Sequence, residues 1–271
     1  MSTRRITTTT SVELPNPFPG ISTGWNPKPY IPSTPTTKSE IKITKGQKAG
    51  TNGSWVTMIV DESGSMSSHY DATTSGYGEF LNSQKKDGIK TDITLITFED
   101  GYVRTPYNMV GIEKAPPLTR ENYNPNGMTN LLDAIGYTIE KIDAQLKSIN
   151  KVERPAVVVV IQTDGHENAS KKYDNETIKA LISKREERGW VFMFLGANID
   201  AFSTGAKFGM RRANTASYAM NSIGDTFALM SHTVTRAKSA KLGGMSTEDY
   251  YGGGVFTSEE RAAMVGDKQS K

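Results

Sequence analysis

Short apolar runs rich in valine and isoleucine alternate along this chain with segments whose apolar residues recur every three or four positions. Such runs are typical of parallel strands covered on both faces, and the wider spacing is typical of amphipathic helices. The sequence therefore predicts an α/β fold with a doubly wound, mostly parallel central sheet flanked by helices, a Rossmann-like arrangement. The predicted strands are WVTMIV, TDITLITFE, PAVVVVIQT, WVFMFLGA and, as a last edge strand, NTASYAM.

The predicted helices follow from apolar stripes and from stop signals. One helix spans about 129–150, and a second begins near Asn175 and ends at Gly189, which suits the position after a helix. A third carries the stripe from Ile223 to Ala237, and one short helix is predicted after Thr257.

Composition divides the 271 residues into three parts. Residues 1–54 hold seven of the twelve prolines and seven Lys or Arg against two Asp or Glu, which predicts an extended arm. Residues 55–240 contain the predicted sheet and are expected to form one domain, which is acidic over most of its length. Residues 241–271 are glycine-rich and predict a C-terminal tail.

The composition also bears on the compartment. The chain has no cysteine, no run near the ~20 apolar residues of a membrane helix, and no apolar segment in MSTRRITTTTSVELP to act as a secretory signal. A cysteine-free chain suits a reducing compartment. We therefore expect a cytoplasmic protein, with a virion-associated location as an alternative.

Polar residues at alternate positions follow the first predicted strand. Asp61, Ser63 and Ser65 come directly after an apolar run, and Gly64 allows a tight turn between them. In parallel sheets, ligands bind beyond the carboxyl ends of the strands. A carboxylate with hydroxyls is an all-oxygen set, which suits a hard cation such as Mg²⁺ better than zinc.

Two further oxygen donors lie at predicted strand-to-helix crossings. Thr129 precedes a predicted helix, and Asp164 ends the most apolar strand, directly before Gly165. The alternative interpretation is that the three hydroxyl residues are loop and cap residues and the two aspartates cap helices.

With these residues in place, the sequence resembles a von Willebrand factor type A (vWA) domain that carries a metal-ion-dependent adhesion site. The D-x-S-x-S element of that site matches residues 61–65, its threonine matches Thr129, and its second aspartate matches Asp164. The resemblance covers about residues 55–240. The segments LGANIDAFSTGAKFGM and PNGMTNLLDAIG are similar to bacterial and phage members of the family.

The resemblance implies a function and a division of labour. Ser63, Ser65 and Thr129 are expected to bind Mg²⁺, or Mn²⁺ or Ca²⁺ in its place, through their hydroxyls, while Asp61 and Asp164 act directly or through water. The metal then accepts a Glu or Asp side chain of a protein partner. This implies a binding module and not an enzyme, with neither a nucleic acid nor a membrane as its partner.

Other polar residues near the site have two interpretations each. Glu62 faces solvent or forms a local salt bridge, and His69, His166 and Glu167 are either ordinary surface residues or groups that tune partner choice or transfer protons. Three tyrosines are explained equally by packing or by an aromatic binding rim: Tyr70, Tyr77 and Tyr123.

Three other functions stay open. The basic arms indicate a structural or virion-associated assembly protein, or a homo-oligomer, that uses them for subunit contacts. A metal-dependent hydrolase would need a second metal cluster or a poised base, and the sequence offers no second cluster. Nucleic-acid binding would rest on a run of cations in which Asp225 is the one acid between residues 205 and 241: Lys207, Arg211, Arg212, Arg236, Lys238 and Lys241.

Overall fold

A computed structural model describes residues 53–197 and 199–266. The predicted N-terminal arm, residues 1–54, lies outside the described residues except for its last two positions. Within the described ranges the strands are β1 (Ser54–Asp61), β2 (Thr91–Glu99), β3 (Tyr102–Gly111), β4 (Ala156–Thr163), β5 (Val191–Ala197) and β6 (Thr215–Tyr218). The α-helices there are α1 (Tyr70–Lys86), α2 (Leu131–Leu146), α3 (Asn175–Glu186), α4 (Ala201–Lys207), α5 (Ile223–Leu242), α6 (Thr247–Gly252) and α7 (Ser258–Met264).

The described strands form one six-stranded sheet in the order β3-β2-β1-β4-β5-β6. All neighbours pair in parallel except β2 and β3, which are antiparallel. The first described strand, β1, lies inside the sheet, and the later strands are added outward on both sides of it, so the α/β, doubly wound and mostly parallel fold is confirmed. The four strands expected from apolar runs are present, and so is the last edge strand expected at NTASYAM.

Helices cover both faces of the sheet. On one face, residues of α1 and α5 such as Phe80 and Phe227 pack on Val56 and Met58 of β1. On the other, α2 and α3 bury Ile135 and Ile178 against alternate residues of the same strands. This two-sided burial explains why the central strands are apolar along their whole length.

One strand is missing from the sequence-based prediction. β3 is an edge strand that contains Pro106, includes Met109 at φ 52°, and shows two irregularities in its pairing with β2. Its residues are mostly partly exposed, so they do not alternate clearly between apolar and polar. Proline is tolerated on an edge because one side of such a strand has no ladder to complete.

The compact unit continues past the boundary predicted at residue 240. Helices α6 and α7 follow it, and Tyr251, Val255, Phe256 and Met264 are buried in the same core cluster as the inner face of α5. The backbone N–H of Phe192 in β5 donates to the Tyr251 hydroxyl at 3.0 Å. Residues up to Met264 therefore complete the core, and they are not a tail.

Helix α7 protects the outer edge of β6. The guanidinium of Arg261 donates to the carbonyl oxygens of Thr215, Ala213 and Phe256. Thr257 and Glu260 form a reciprocal capping box at the start of this helix. The sequence predicts a short helix at this position. Among the described residues, no helix is long and apolar enough to cross a membrane.

We predict that Phe256→Ala lowers the free energy of unfolding by about 3–5 kcal/mol, because a fully buried ring is replaced by a cavity. Val265→Ala is the matched control, since that side chain is 47% exposed. Urea denaturation followed by circular dichroism measures both. A Phe256→Ala variant as stable as Val265→Ala would mean that the C-terminal helices do not belong to the core.

Candidate metal centre

The carboxylate of Asp61 links the loop that follows β1 to the last residue of β4. The backbone N–H of Ser63 donates to its Oδ1 at 2.7 Å, and the hydroxyl of Thr163 donates to its Oδ2. Because β1 and β4 are parallel neighbours, the loops that follow them leave the sheet at the same end of the strands. Asp61 itself is fully buried there.

Two serine hydroxyls continue this network toward the second aspartate. The Oγ atoms of Ser63 and Ser65 lie 3.1 Å apart, and Ser65 Oγ donates to Asp164 Oδ1 at 2.7 Å. Ser65 is exposed to solvent, whereas Ser63 is buried. Four of the five predicted ligand residues are therefore joined by one chain of hydrogen bonds.

The fifth predicted residue, Thr129, lies against Gly165. Its Oγ1 is 2.7 Å from the place that a Cβ atom on Gly165 would occupy, so a side chain there would displace the hydroxyl. Its backbone is held by Asn168, whose Oδ1 accepts from Thr129 N at 2.9 Å and whose N–H donates to Thr129 O at 3.0 Å. The structure thus brings all five residues together at the carboxyl ends of the central strands.

Burial raises the pKa of both carboxyl groups. The pKa of Asp61 rises to about 6 through loss of hydration, and the hydrogen bonds from Ser63 and Thr163 offset only part of that effect. The pKa of Asp164 is also raised by burial, against which the Ser65 hydrogen bond and the nearby His69 act. Neither carboxylate forms an ion pair with a Lys or Arg of the described residues.

These features fit a hard divalent cation. Two partly desolvated carboxylates without a basic partner, next to three hydroxyls, form an oxygen-only set of the type that Mg²⁺ prefers. In residues 53–197 and 199–266, no group of three or more His, Cys, Asp or Glu side chains is placed to hold a metal. The predicted set does not need such a group, because three of its five donors are hydroxyls.

Glu62 has a structural role. The sequence left open whether its side chain faces solvent or forms a local salt bridge. Its side chain is fully buried and forms an ion pair with Arg104 of β3, while its Oε1 also accepts from the backbone N–H of Asn124. The backbone N–H of Asn126 donates to Glu62 O at 2.8 Å. Glu62 therefore fixes the loop before Thr129, and it could not be assigned without knowing that β3 exists.

Glu167 has a similar positioning role. Its Oε1 accepts from Ala169 N at 3.0 Å and from Ser170 N at 2.7 Å, and its Oε2 accepts from Leu132 N at 2.9 Å and from Ser170 Oγ at 2.7 Å. A carboxylate with four donors at the first turn of a helix is favourably placed for both hydrogen bonding and the helix dipole. Glu167 holds the loop after β4 to the start of α2. His166 beside it is exposed.

Two of the three tyrosines of the predicted rim are core residues. Tyr77 and Tyr123 are fully buried, and the Tyr123 hydroxyl donates to Asp61 O at 2.9 Å. Tyr70 is partly exposed, stacks on Tyr123 and carries the guanidinium of Arg120 at 3.4 Å from its ring centre. Packing therefore explains Tyr77 and Tyr123.

The run of cations between residues 205 and 241 does not form a continuous basic surface. Lys238 is buried in an ion pair with Asp87, Arg236 pairs with Glu260, and Arg211 pairs with Glu186 and Glu248. Carboxylates far away in sequence neutralise these charges, which the sequence alone does not show.

Comparison with known proteins adds information on the fold. No family model matches the chain, and no curated protein matches it in sequence. Similar solved structures include proximal thread matrix protein 1 from the mussel byssus, with 14% identity and a TM-score of 0.46 over 69% of this chain. The manganese-loaded TRAP protein of Plasmodium vivax has 15% identity and a TM-score of 0.44, with 65% of this chain and 72% of that chain covered.

A von Willebrand factor type A protein from Catenulispora acidiphila is also similar, with 14% identity and a TM-score of 0.41 over 68% of this chain. The present chain spans 46% of the mussel protein and 43% of the Catenulispora protein. The solved structures that this chain is similar to include a protein described as von Willebrand factor type A.

We predict that Ser65→Ala weakens Mg²⁺ and Mn²⁺ binding by about 10–100-fold, because it removes a proposed ligand and the hydrogen bond that orients Asp164. Ser67→Ala is the matched control, since the Ser67 hydroxyl is exposed and donates to Pro125 O. Isothermal titration calorimetry measures the affinities, and circular dichroism checks that both variants keep the fold. Equal metal affinity in the two variants would contradict the ligand assignment.

Proposed function

We propose that this protein is a metal-dependent binding module whose Asp61, Ser63, Ser65, Thr129 and Asp164 hold a divalent cation at an adhesion site of the vWA type. The observation that carries the proposal is the hydrogen-bonded chain from Ser63 through Ser65 to Asp164 beside the buried Asp61. Ser65 is its exposed member, so the site is open to solvent on that side.

A bound cation would supply a positive centre that attracts oxygen ligands from outside the chain. The three hydroxyls contribute no negative charge, and where Asp61 or Asp164 acts through water, the groups that touch the ion directly do not balance its two positive charges. Such a centre attracts an acidic group from outside. We therefore assign a protein partner that presents a Glu or Asp side chain at the carboxyl ends of the central strands.

We propose binding without turnover. Glu167, the acidic residue nearest in sequence to Asp164, is committed to four hydrogen bonds and is not free to act as a base. Mg²⁺ is the proposed cation, with Mn²⁺ or Ca²⁺ as substitutes. The oxygen-only donor set is common to all three ions.

Assembly is the second candidate, and the charge pattern favours it. Residues 1–54 carry seven Lys or Arg against two Asp or Glu, whereas most of the domain that follows is acidic. We propose that this basic arm contacts the domain of a neighbouring copy in a larger assembly. The cysteine-free sequence suits a reducing compartment, and the segments similar to bacterial and phage family members favour a microbial setting, so we propose a cytoplasmic or virion-associated location.

We predict that the full chain, immobilised as bait, retains a protein partner from a lysate of its source when Mg²⁺ is present and loses it in EDTA. Ser65→Ala should lose the partner even with Mg²⁺, and Ser67→Ala should retain it. Cross-linking with a carbodiimide and mass spectrometry would then test whether a Glu or Asp of the partner lies at the site.

Two results would contradict the proposal. Capture that is equal with and without EDTA would remove the metal from recognition. Metal-dependent hydrolysis of a phosphoester or a peptide by the pure protein, lost in Ser65→Ala, would replace the binding module by a hydrolase.

A further inference from the structure

Asn126 lies in the loop before Thr129 and is followed by Gly127, and both residues of this pair are exposed. Within residues 53–197 and 199–266, no hydrogen bond engages the side-chain amide of Asn126 or the backbone N–H of Gly127. Glycine has no Cβ, so no side chain shields its nitrogen from the amide that precedes it. The two groups that react when an asparagine closes into a cyclic imide are therefore both free at this position.

The other backbone atoms of this pair are held against the loop of the proposed serine ligands. The N–H of Asn126 donates to Glu62 O at 2.8 Å, and Gly127 O accepts from Gly64 N at 3.0 Å. Gly64 lies between the two serines of the proposed metal centre. The length of main chain between these two hydrogen bonds therefore sets how the loop before Thr129 packs on the serine loop.

We propose that Asn126 is a site of spontaneous modification through a cyclic imide. The nitrogen of Gly127 gives its proton to a base in the solvent and attacks Asn126 Cγ, and the side-chain amide takes up a proton and leaves as ammonia. Water then opens the ring. Attack at the side-chain carbonyl gives aspartate, and attack at the main-chain carbonyl gives isoaspartate, in which the backbone runs through the former side chain. No oxidant or reductant is required.

Each product changes the loop beside the proposed metal centre. Aspartate replaces a neutral amide by a negative charge. Isoaspartate lengthens the main chain by one carbon atom between the two hydrogen bonds, so they cannot both keep their distances. We expect this product to weaken Mg²⁺ binding by about 10-fold or more, because contacts outside the ligand shell orient the ligands. This effect rests on the proposed function, whereas the chemical step is independent of it.

Two other asparagines of the same loop are internal controls. The Asn122 side chain is held, because its Oδ1 accepts from Thr119 N at 2.7 Å and its Nδ2 donates to Pro117 O at 2.9 Å. Asn124 is exposed but precedes Pro125, which has no backbone N–H to give up. Neither amide is arranged for the reaction that we assign to residue 126.

Incubation of the full chain at mildly alkaline pH, followed by proteolysis and mass spectrometry, tests the proposal. We predict that the amide of Asn126 becomes a carboxyl group faster than those of Asn122 and Asn124, and that fragmentation of the peptide detects isoaspartate. Peptide mapping assigns the second Asn-Gly pair of the chain, at residues 52–53, separately. Calorimetry of the same samples should show Mg²⁺ affinity falling as isoaspartate at residue 126 accumulates.

Two variants separate the causes, and circular dichroism checks their fold. Asn126→Gln should keep its amide and its affinity during incubation, because its longer side chain closes a ring far more slowly. Asn126→Asp adds the charge without lengthening the main chain, so it should bind Mg²⁺ more tightly than protein with isoaspartate.

Modification of Asn126 no faster than that of Asn124 would overturn the proposal. Isoaspartate at residue 126 with unchanged Mg²⁺ affinity would overturn the predicted effect on the metal centre. Fresh protein that binds no Mg²⁺ would instead contradict the proposed function, while the peptide map would still decide whether Asn126 is modified.

Discussion

The burial of Asp61 at the end of β1 is the constraint on which the candidate metal centre depends. A carboxylate at that depth must find donors, and here they come from Ser63 in the loop after β1 and from Thr163, the last residue of the neighbouring strand β4. Those donors can meet only if β1 and β4 end together. The register that pairs Val60 with Gln162 provides this, and a slip of one residue would turn the side chains of one strand to the other face.

A second group of contacts places Thr129 relative to that carboxylate. Glu167 and Asp133 bind the loop after β4 to the first turn of α2, Asp133 by accepting from the backbone N–H groups of residues 171, 172 and 173. Gly136 lets the ring of Tyr173 pack on the same helix, where a Cβ atom would come within 2.4 Å of the ring. The hydroxyl of Thr129 is therefore positioned by residues that are not among the proposed ligands.

The central strands and the positions of the five candidate ligands could be predicted because each has a local signal. The strands are continuous apolar runs, and the ligands lie directly after them or at the start of a helix with a clear stripe. Helix α1 lacks such a signal, because Gly76 and Gly78 interrupt a segment that is mostly polar. The pair of Glu62 and Arg104 could not be predicted either, since Arg104 is 42 residues away and lies in the irregular strand β3, which has no clear sequence signal.

The C-terminal boundary shows a different limit of sequence patterns. Glycines at 252–254 interrupt the segment and resemble a tail, yet Tyr251, Val255 and Phe256 around them are buried. Each apolar group is too short to show a period, so its role depends on contact with α5 and β5, which are distant in sequence. Long-range packing of this kind is not encoded in a local window.

The two edges of the sheet have a consequence for how copies of this protein can associate. At one edge, β3 is broken by Pro106 and by the irregular pairing near Met109, and at the other, Arg261 already occupies the carbonyl of Thr215 in the four-residue β6. Neither offers the uninterrupted row of free N–H and C=O groups that an added strand requires. Growth of the sheet from one molecule into the next through the described strands is disfavoured, and these edges protect the domain against ribbon-like aggregation.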